Sequence, residues 1–525
     1  MPDPALAHRA LLLPARAAVA LLLVVLMAAV LAGVLACNTP EPEAAPAVEP
    51  LPSKSNILLI TIDTLRADHL SSYGYVRPTS PVIDRLAAGG VRFDQAQVQW
   101  PKTTPSFASI FTATYPKDNQ IVRTAGQPVS CKFEMLAEAL KRQGYATYAV
   151  VANGAVGSEF YFDQGFDEYI ETWKLEHGAG GADPNRAEAV TQLAVGLLDK
   201  LKQSGKPYFL WVHYLDPHAP YEPPAQFRDR FQNDERFDPS VKIPLSDRPK
   251  QQMFGIGSER VLDGRDDLAF YLARYDAEIA YNDAQIGHLL DEMRKRGMLE
   301  RTLTAFTSDH GESLGEHGYY FDHGRFSFQT CLRVPFILHY PGVLAPRVDK
   351  DPVELIHLAP TLLEAAGVQL PDGAWMQGRS LTPRLRGQAP PPPPAEEGEG
   401  DPAAATARQP GLAFSEAGWE THNKWQKVVR DGRFKLIFAQ TRPEQRWIGG
   451  EGVKFTLYDL ASDPGETTNV IDKFPQDAER LTRELWKWER APKFNVETDQ
   501  AGGTCGDQRQ MDEETRKLLE SLGYL

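Results

Sequence analysis

Four residues of this sequence have the chemistry to hold a metal ion and to present a nucleophile to a substrate. They are Asp63, Thr103, Asp309 and His310. Two carboxylates, an imidazole and a hydroxyl suit a divalent cation, and this set favours Zn²⁺ or Mn²⁺, with Ca²⁺ as an alternative. A cation at the threonine oxygen would favour loss of the hydroxyl proton and so make a nucleophile of it. We therefore predict one divalent metal ion with these four residues as its ligands.

The places of these residues along the chain suggest that they meet. Asp63 directly follows the apolar run 56–62, and Asp309 follows the run 303–307. Open parallel sheets bind ligands beyond the carboxyl ends of their strands. Thr103 stands just before Pro105 at the start of a helical pattern, where backbone N–H groups and the helix dipole attract an anion. Taken singly, each residue also has a structural explanation, such as a helix cap for Asp63 or Thr103.

The elements that must position these residues follow an alternating order. Helical patterns separate short apolar runs that are typical of buried strands, which indicates an α/β fold with a mainly parallel sheet flanked by helices. Further on, an Asp431-Gly432 turn between alternating apolar residues predicts a hairpin in a small α+β C-terminal subdomain. The predicted strands are 56–62, 146–152, 208–213, 303–307 and 335–340, and the predicted helices are 80–88, 133–143, 187–202, 269–297 and 479–489.

The N-terminal residues resemble an export signal. Arg9 and Arg16 precede the apolar run 17–36, and Cys37 follows Val34-Leu35-Ala36 as in a bacterial lipoprotein, in which the cysteine becomes the lipidated N-terminus. The alternative is a transmembrane anchor, since 20 apolar residues can span a bilayer. Both predict an exported, membrane-anchored protein, periplasmic or on the cell surface.

Composition predicts the segments of the chain, and the net charge bears on its partners. We predict an anchor at 1–37, a disordered linker at 38–55, a catalytic domain at 56–387, a Pro-rich linker at 388–410 and a C-terminal subdomain and tail at 411–525. The net charge of −14 argues against a nucleic-acid partner. Besides Cys37 there are Cys131, Cys331 and Cys505, so at most one disulfide forms among these three and one thiol stays free.

Several motifs carry a resemblance to the sulfatase family of the alkaline-phosphatase superfamily. The segment Thr103-Thr104-Pro105-Ser106-Phe107 resembles the family's nucleophile segment, and Ser308-Asp309-His310-Gly311-Glu312 is similar to another of its motifs. Other matching segments are 62–70, 72–75, 79–87, 212–224, 313–318, 323–324, 333–338, 357–363, 457–464 and 518–525. The resemblance implies a sulfatase-like fold over nearly everything from residue 56 onward.

The resemblance also implies roles for individual residues. Asp63, Asp309 and His310 match metal-ligand positions and Thr103 matches the nucleophile. His218 and His323 match positions near the bound sulfuryl or phosphoryl oxygens, so we predict that they act in catalysis with Thr103. His213 and Asp216 are weaker candidates. His213 is as well explained by a backbone carbonyl partner at a strand end, and Asp216 before Pro217 by a turn.

Departures from the family pattern shape the predicted chemistry. Sulfatases carry Cys/Ser-x-Pro-x-Arg and oxidise the first residue to formylglycine, whereas Thr103 cannot form that aldehyde and Phe107 replaces the arginine. Thr64 replaces a second aspartate, residues 151–154 lack the family's lysine and histidine, and Asn119-Gln120 stands where relatives often have His-Gly. The remaining set looks more like the single-metal site of phosphoethanolamine and phosphoglycerol transferases, which use a threonine.

The function expected from these residues is ester cleavage without formylglycine. We predict a metal-dependent hydrolase or transferase of sulfate or phosphate esters, with phosphate favoured, acting through Thr103. Its substrate is a small-molecule, glycan or lipid-headgroup ester. The alternative is a non-catalytic binding protein that has kept the family's crevice but lost part of its active site.

Overall fold

A computed structural model describes Pro52 and residues 54–177, 183–248, 252–368, 376–386, 411–419, 424–439, 455–491 and 509–525. The predicted anchor at 1–37, most of the linker at 38–55 and the Pro-rich linker at 388–410 fall outside these ranges. Within the described ranges, no helix is long and apolar enough to cross a membrane. Cys131 is disulfide-bonded, and Cys331 is a free, buried thiol.

Strands β1 to β13 belong mostly to one large sheet, and four more strands form a second sheet. In chain order they are β1 (Asn56–Ile62), β2 (Val91–Gln97), β3 (Ala146–Val151), β4 (Glu168–Glu171), β5 (Tyr208–Tyr214), β6 (Leu245–Ser246), β7 (Ile256–Gly257), β8 (Thr302–Ser308), β9 (Ser313–Leu314), β10 (Tyr320–Asp322), β11 (Arg333–His339), β12 (Arg347–Asp349), β13 (Val353–Glu354), β14 (Ala413–Trp419), β15 (Lys424–Arg430), β16 (Phe434–Ala439) and β17 (Phe455–Asp459).

The helices lie between and around these strands. In chain order they are α1 (Pro81–Gly89), α2 (Thr103–Thr112), α3 (Pro116–Asn119), α4 (Leu136–Arg142), α5 (Ala187–Gln203), α6 (Ala225–Arg228), α7 (Leu268–Lys295), α8 (Gln329–Leu332), α9 (Leu358–Ala365), α10 (Thr382–Leu385), α11 (Pro475–Arg490) and α12 (Glu513–Ser521).

The large sheet is mainly parallel. Its order is β12-β2-β11-β8-β1-β5-β3-β4, and β13 also pairs with β2. Every neighbouring pair is parallel except those of β11, which runs antiparallel to β8 and β2. The predicted α/β fold is therefore confirmed, with one correction. The run 335–340, predicted as one of the parallel strands, belongs to the antiparallel β11.

Alternation along β1 explains the helical layers on both faces. Ile57 and Leu59 belong to the apolar core that contains residues of α2, α4 and α9. Leu58, Ile60 and Ile62 belong to the core on the other face, with residues of α1, α5 and α7. A strand buried on both faces is apolar at most of its positions, and β1 follows this rule at five of seven, with Asn56 and Thr61 as its polar residues. Strand β2 was not predicted, although Val91 and Phe93 alternate with polar residues as they do in a half-buried strand.

The second sheet forms the C-terminal subdomain. Strands β14 to β17 pair antiparallel in sequence order, and Asp431 forms the predicted turn by accepting the backbone N–H groups of Arg433 and Phe434. Helix α11 packs on this sheet, with the Trp488 ring stacked on Phe414 at 5.2 Å and edge-on to Tyr115 at 5.3 Å. Tyr115 follows α2, so this aromatic cluster joins the subdomain to the large sheet's helical layer.

A buried ion pair makes a second connection between the two parts, and we predict that it contributes to stability. Lys435 Nζ lies 2.5 Å from Glu466 Oε1, and Glu466 Oε2 accepts the backbone N–H of Gln329 at 2.6 Å. Lys435→Met should lower the free energy of unfolding by about 3–5 kcal/mol, because it leaves a buried carboxylate without its cation. Urea unfolding measures this.

Two further variants serve as controls. Lys435→Met/Glu466→Gln should recover part of the loss, since no charge is then left unpaired. Lys473→Met, at an exposed lysine, should unfold like the wild type. A single Lys435→Met variant as stable as the wild type would show that the pair contributes little.

Candidate active site

Strand pairing brings two aspartates together at one edge of the large sheet. Strands β1 and β8 run parallel with Ile62 opposite Ser308, so Asp63 and Asp309 leave the sheet side by side. Neither residue has solvent-exposed surface. Backbone bonds hold the ends of these strands, since Asp63 N–H donates to the Tyr214 carbonyl at 2.9 Å. The two carboxylates are thus fixed next to each other in the interior.

His310 faces both carboxylates through one ring nitrogen. Its Nδ1 lies 3.0 Å from the Gly311 carbonyl oxygen, which can only accept, so Nδ1 carries the proton and leaves the lone pair on Nε2. Nε2 lies 3.3 Å from Asp309 Oδ2 and 3.8 Å from Asp63 Oδ1. Burial lowers the pKa of His310 well below its usual range. The lone pair of a neutral imidazole is therefore directed between two carboxylate oxygens, as in a metal ligand.

The donor atoms of these three residues fit a divalent cation. One ligand atom from each of Asp63, Asp309 and His310 lies within 4.8 Å of the others. Among the described residues, Asp63 Oδ1 and Asp309 Oδ2 have no hydrogen-bond partner although both are buried. Such orphaned acceptors are costly unless a cation or water satisfies them. The second oxygen of Asp63 accepts the side-chain N–H of Asn153 at 2.5 Å, which fixes the carboxylate.

The charges of the two aspartates affect each other. Burial, reinforced by the negative charge of Asp63, raises the pKa of Asp309 well above its usual range. Burial would also raise the pKa of Asp63, but the surrounding histidines, His213 first, hold it below its usual range. Two buried carboxylates at this separation cannot both keep a negative charge without a compensating cation.

Thr103 points its hydroxyl at the same place. It is the first residue of α2, and its Oγ1 lies 3.3 Å from His310 Nε2. Lys102, and not Thr103, occupies the capping position, so the alternative of Thr103 as a helix cap does not apply. Ser106, one turn along α2, donates to the Asp309 carbonyl at 2.6 Å and ties the helix to the end of β8. The four predicted metal-site residues therefore converge.

Two more predicted residues border this cluster from the other side. The His323 ring lies 4.1 Å from the His310 ring and 5.5 Å from the His218 ring, centroid to centroid. Burial would lower the pKa of His323, but Glu312, whose Oε1 lies 3.1 Å from Nδ1, raises it. Among the described residues, no carboxylate is hydrogen-bonded to His218. Its Nδ1 donates to the Ala219 carbonyl at 2.9 Å, and burial lowers its pKa. His323 is therefore suited to carry a positive charge, and His218 is suited to stay neutral.

The two weaker candidates differ from each other. His213 Nδ1 lies 3.0 Å from Thr61 Oγ1, so its partner is a hydroxyl and not the backbone carbonyl considered for it. Its Nε2 faces Asp63 Oδ2 at 3.7 Å, next to the metal-site residues. Asp216 instead forms an ion pair with Arg186 at 2.7 Å and accepts the N–H of Ala187, which is a structural role.

Three site residues were not among the predictions. Asn153 and Glu312 orient Asp63 and His323, and the Tyr524 hydroxyl lies 3.1 Å from Thr103 Oγ1 and 2.9 Å from His218 Nε2. Burial raises the pKa of Tyr524 well above its usual range, so the phenol keeps its proton. Glu312 lay within a recognised motif and Tyr524 within the family-like segment 518–525, but neither position alone indicates a contact with the site.

The substituted position Phe107 is part of the core. Its ring has no exposed surface and lies 5.1 Å from the Trp211 ring, 5.8 Å from Phe111 and 4.9 Å from His213. Thr64, at the other substituted position, has a left-handed backbone with φ of 54°. The residue at the sequence position of the family's arginine is therefore part of an aromatic cluster.

Comparisons with known proteins show which family this chain resembles. The Sulfatase family model matches residues 55–368. The chain is similar to choline-sulfatase of Rhizobium meliloti, with 27% identity over 496 residues, 85% of this chain and 88% of that protein. It is similar to N-acetylglucosamine-6-O-sulfatase of Bacteroides thetaiotaomicron, with 24% identity over 493 residues, 80% of this chain and 83% of that protein. Among solved structures, phosphonate monoester hydrolase of Agrobacterium radiobacter has a TM-score of 0.62 at 23% identity, covering 83% of this chain and 95% of its own.

The ligand geometry predicts different effects for two neighbouring histidines. His310→Gln should weaken Zn²⁺ binding by more than roughly 10- to 100-fold. That range is the loss of metal affinity typical for mutation of residues that hydrogen-bond to the ligands but do not touch the ion. His323→Gln is the matched control, since its ring is also buried but lies outside the ligand cluster, and it should keep the ion. Metal content by mass spectrometry and competition with a chromophoric chelator measure both. Equal affinity in the wild type and His310→Gln would exclude His310 as a ligand.

Proposed function

The chain belongs to the sulfatase family, and on this basis we propose that it is a metal-dependent hydrolase or transferase of phosphate or sulfate esters that uses Thr103 as its nucleophile. One observation carries the proposal. The Thr103 hydroxyl lies 3.3 Å from His310 Nε2, within the cluster whose carboxylate oxygens lack partners among the described residues. A hydroxyl in this place is next to the cation that the cluster fits, and is bordered by His218 and His323.

Each side chain has a defined task in this proposal. Asp63, Asp309 and His310 would hold the ion, which supplies Lewis-acid charge at the hydroxyl and at the transferred group. Thr103 Oγ1 forms a bond to phosphorus or sulfur, the bond from that atom to the ester oxygen breaks, and the proton lost by the hydroxyl is balanced by the proton with which the alcohol departs. His323, whose pKa Glu312 raises, is suited to stabilise negative charge on the transferred group, because it can carry a positive charge.

The nature of the nucleophile favours phosphate. A formylglycine hydrate has a second hydroxyl and can expel sulfate by re-forming its aldehyde, whereas a threonine ester has none. Water or another acceptor must therefore attack the covalent phosphothreonine or sulfothreonine directly, which is ordinary chemistry for phosphoryl transfer. The shared fold with a phosphonate monoester hydrolase supports the same choice, since this fold serves hydrolysis at phosphorus in that protein.

The names of two relatives indicate the kinds of ester that members of this family cleave. One is a choline-sulfatase and another an N-acetylglucosamine-6-O-sulfatase, so the family includes enzymes for small molecules and for sugars. For this chain we propose a small-molecule, glycan or lipid-headgroup ester. The alternative function is a binding protein that has lost part of its active site. It is supported by Phe107 and Thr64, which stand where the family pattern has an arginine and a second aspartate. It predicts a site that does not retain metal.

The location of the protein is a further proposal. We propose that the domain acts outside the cytoplasm, attached to a membrane through Cys37, on the strength of residues 9–37. The disulfide at Cys131 supports an oxidising compartment. Mass spectrometry of the membrane fraction should find a lipidated N-terminus at Cys37. Peptides from an intact 17–36 segment would instead favour the transmembrane anchor.

The nucleophile is tested by removing one hydroxyl. Thr103→Ala should abolish turnover of paired aryl phosphate and aryl sulfate esters, and Thr103→Ser should keep part of it because the oxygen remains. The wild type should have the higher kcat/KM on the phosphate. Ser109→Ala is the control, because Ser109 is a buried hydroxyl on the same helix without a hydrogen-bond partner among the described residues. It should leave turnover unchanged.

The outcome decides between two mechanisms. If Thr103→Ala hydrolyses esters as fast as the wild type, the covalent route is wrong and water is the direct nucleophile. In either case the variant should stay folded and lose only the roughly 1–3 kcal/mol of a buried hydrogen-bonding hydroxyl, since Thr103 contacts Tyr524 but does not cap its helix.

A further inference from the structure

The C-terminal segment 509–525 reaches the candidate active site through one side chain. The Tyr524 hydroxyl lies 3.1 Å from Thr103 Oγ1 and 2.9 Å from His218 Nε2, and its ring lies 5.6 Å from the His218 ring. Thr103 has no solvent-exposed surface in this arrangement. An ester that reacts with Thr103 must bring its phosphorus or sulfur within about 3–3.5 Å of Oγ1. Substrate therefore has to contact Tyr524 or move it.

The helix that carries Tyr524 is firmly attached. Asp512 caps α12 by accepting the Thr515 N–H at 2.8 Å and forms an ion pair with Lys174 at 2.8 Å. Trp173 Nε1 donates to Thr515 Oγ1 at 2.9 Å, in a buried contact. Leu519, on the same face of the helix, has no exposed surface. The helix is thus a fixed part of the fold up to its last turn.

The turn after α12 directs Tyr524 into the site. Gly523 has a left-handed backbone with φ of +81°, its N–H donates to the Glu520 carbonyl at 3.1 Å, and Tyr524 N–H donates to the Leu519 carbonyl at 2.9 Å. These two bonds and the glycine define a Schellman motif, which fixes the direction of the chain leaving a helix. The turn therefore fixes the direction in which the backbone carries Tyr524 away from α12, and the docking of the helix places that direction at the site.

A cavity lies beside the site, and the same segment forms one wall of it. Its volume is about 220 Å³, and residues 520–523 line it together with Ala219, which directly follows His218. The rings of Tyr221, Tyr271 and Phe321 line other parts of it. Its charged lining residues are Arg260, Glu259 and Glu520. Tyr221 also reaches the Glu312 carboxylate at 3.4 Å, which connects this wall to the partner of His323. Aromatic walls with a few polar groups suit a ring-bearing organic group.

We infer that residues 520–524 are part of the substrate site, in which Tyr524 hydrogen-bonds to the transferred group and residues 520–523 enclose a ring-bearing leaving group. This inference rests on the proposed ester-cleaving function. With substrate bound, the phenol gives up its contact with Thr103 and donates to an oxygen of the phosphoryl or sulfuryl group. Donors to such anionic oxygens form stronger hydrogen bonds than neutral pairs do. Tyr524 then affects every substrate, whereas the wall affects the choice of leaving group.

Two variants test the two parts of this inference in the full-length, Zn²⁺-loaded protein. Tyr524→Phe removes only the hydroxyl and should lower kcat/KM roughly ten- to a hundredfold on both a methyl and a phenyl phosphate monoester. A chain ending at Ser521 should in addition reduce the preference for the phenyl over the methyl ester, since it lacks Leu522 and Gly523 of this wall. Lys517→Ala, on an exposed position of α12, is the control and should behave as the wild type.

A binding measurement separates failure of the inference from failure of the proposed function. Inorganic phosphate, titrated calorimetrically into the Zn²⁺-loaded proteins, should bind Tyr524→Phe at least about tenfold more weakly than the wild type. If the wild type cleaves esters but Tyr524→Phe matches it in kcat/KM and in phosphate affinity, this inference is wrong and the proposed function stands. If the shortened chain cleaves all esters faster than the wild type, the segment obstructs the site and the inference is again wrong. A wild type that neither cleaves esters nor binds phosphate overturns both.

Discussion

The parallel pairing of β1 with β8 is the constraint on which the rest of the site depends. With Ile62 opposite Ser308, the next residue of each strand is an aspartate, and the two carboxylates are buried side by side. Burying two like charges is costly unless a cation compensates them. The surrounding groups fix these carboxylates without neutralising them, as the Asn153 amide does for Asp63. The sheet thus buries two negative charges that a divalent ion can compensate. Helix α2 places the Thr103 hydroxyl next to the site that such an ion would occupy.

The sequence predicts those site residues that directly follow a recognisable strand. Asp63 and Asp309 follow short apolar runs, and the α/β rule that ligands bind at the carboxyl ends of strands was enough to bring them together. Thr103 was placed at a helix start by Pro105, although the structure makes it the first helical residue and gives the cap to Lys102. The direction of β11 could not be predicted, because a buried run has the same composition whether its neighbours are parallel or antiparallel.

What the sequence could not reveal is the set of contacts that depend on distant segments meeting. Asn153 follows β3, and nothing in its surroundings along the chain indicates that its amide reaches Asp63. Tyr524 is 421 residues from Thr103 in sequence, yet their hydroxyl groups are 3.1 Å apart. The Leu522-Gly523-Tyr524 sequence does contain a local signal, since a glycine after a helix predicts the Schellman turn. It predicts where the chain turns, but only the docking of α12 determines what the tyrosine meets.

The aromatic cluster at Phe107 bears on how this chain departs from the family pattern at both residue 103 and residue 107. An arginine at 107 would place a guanidinium among the rings of Phe111 and Trp211, and a buried cation without a partner there would cost several kcal/mol. In sulfatases that arginine serves the formylglycine, which Thr103 cannot form. Restoring a cysteine at 103 alone would therefore supply the precursor of the aldehyde without the group that holds it. Thr103 and Phe107 are compatible with each other. The Thr103 hydroxyl needs no oxidation, and the apolar Phe107 side chain packs α2 against β5.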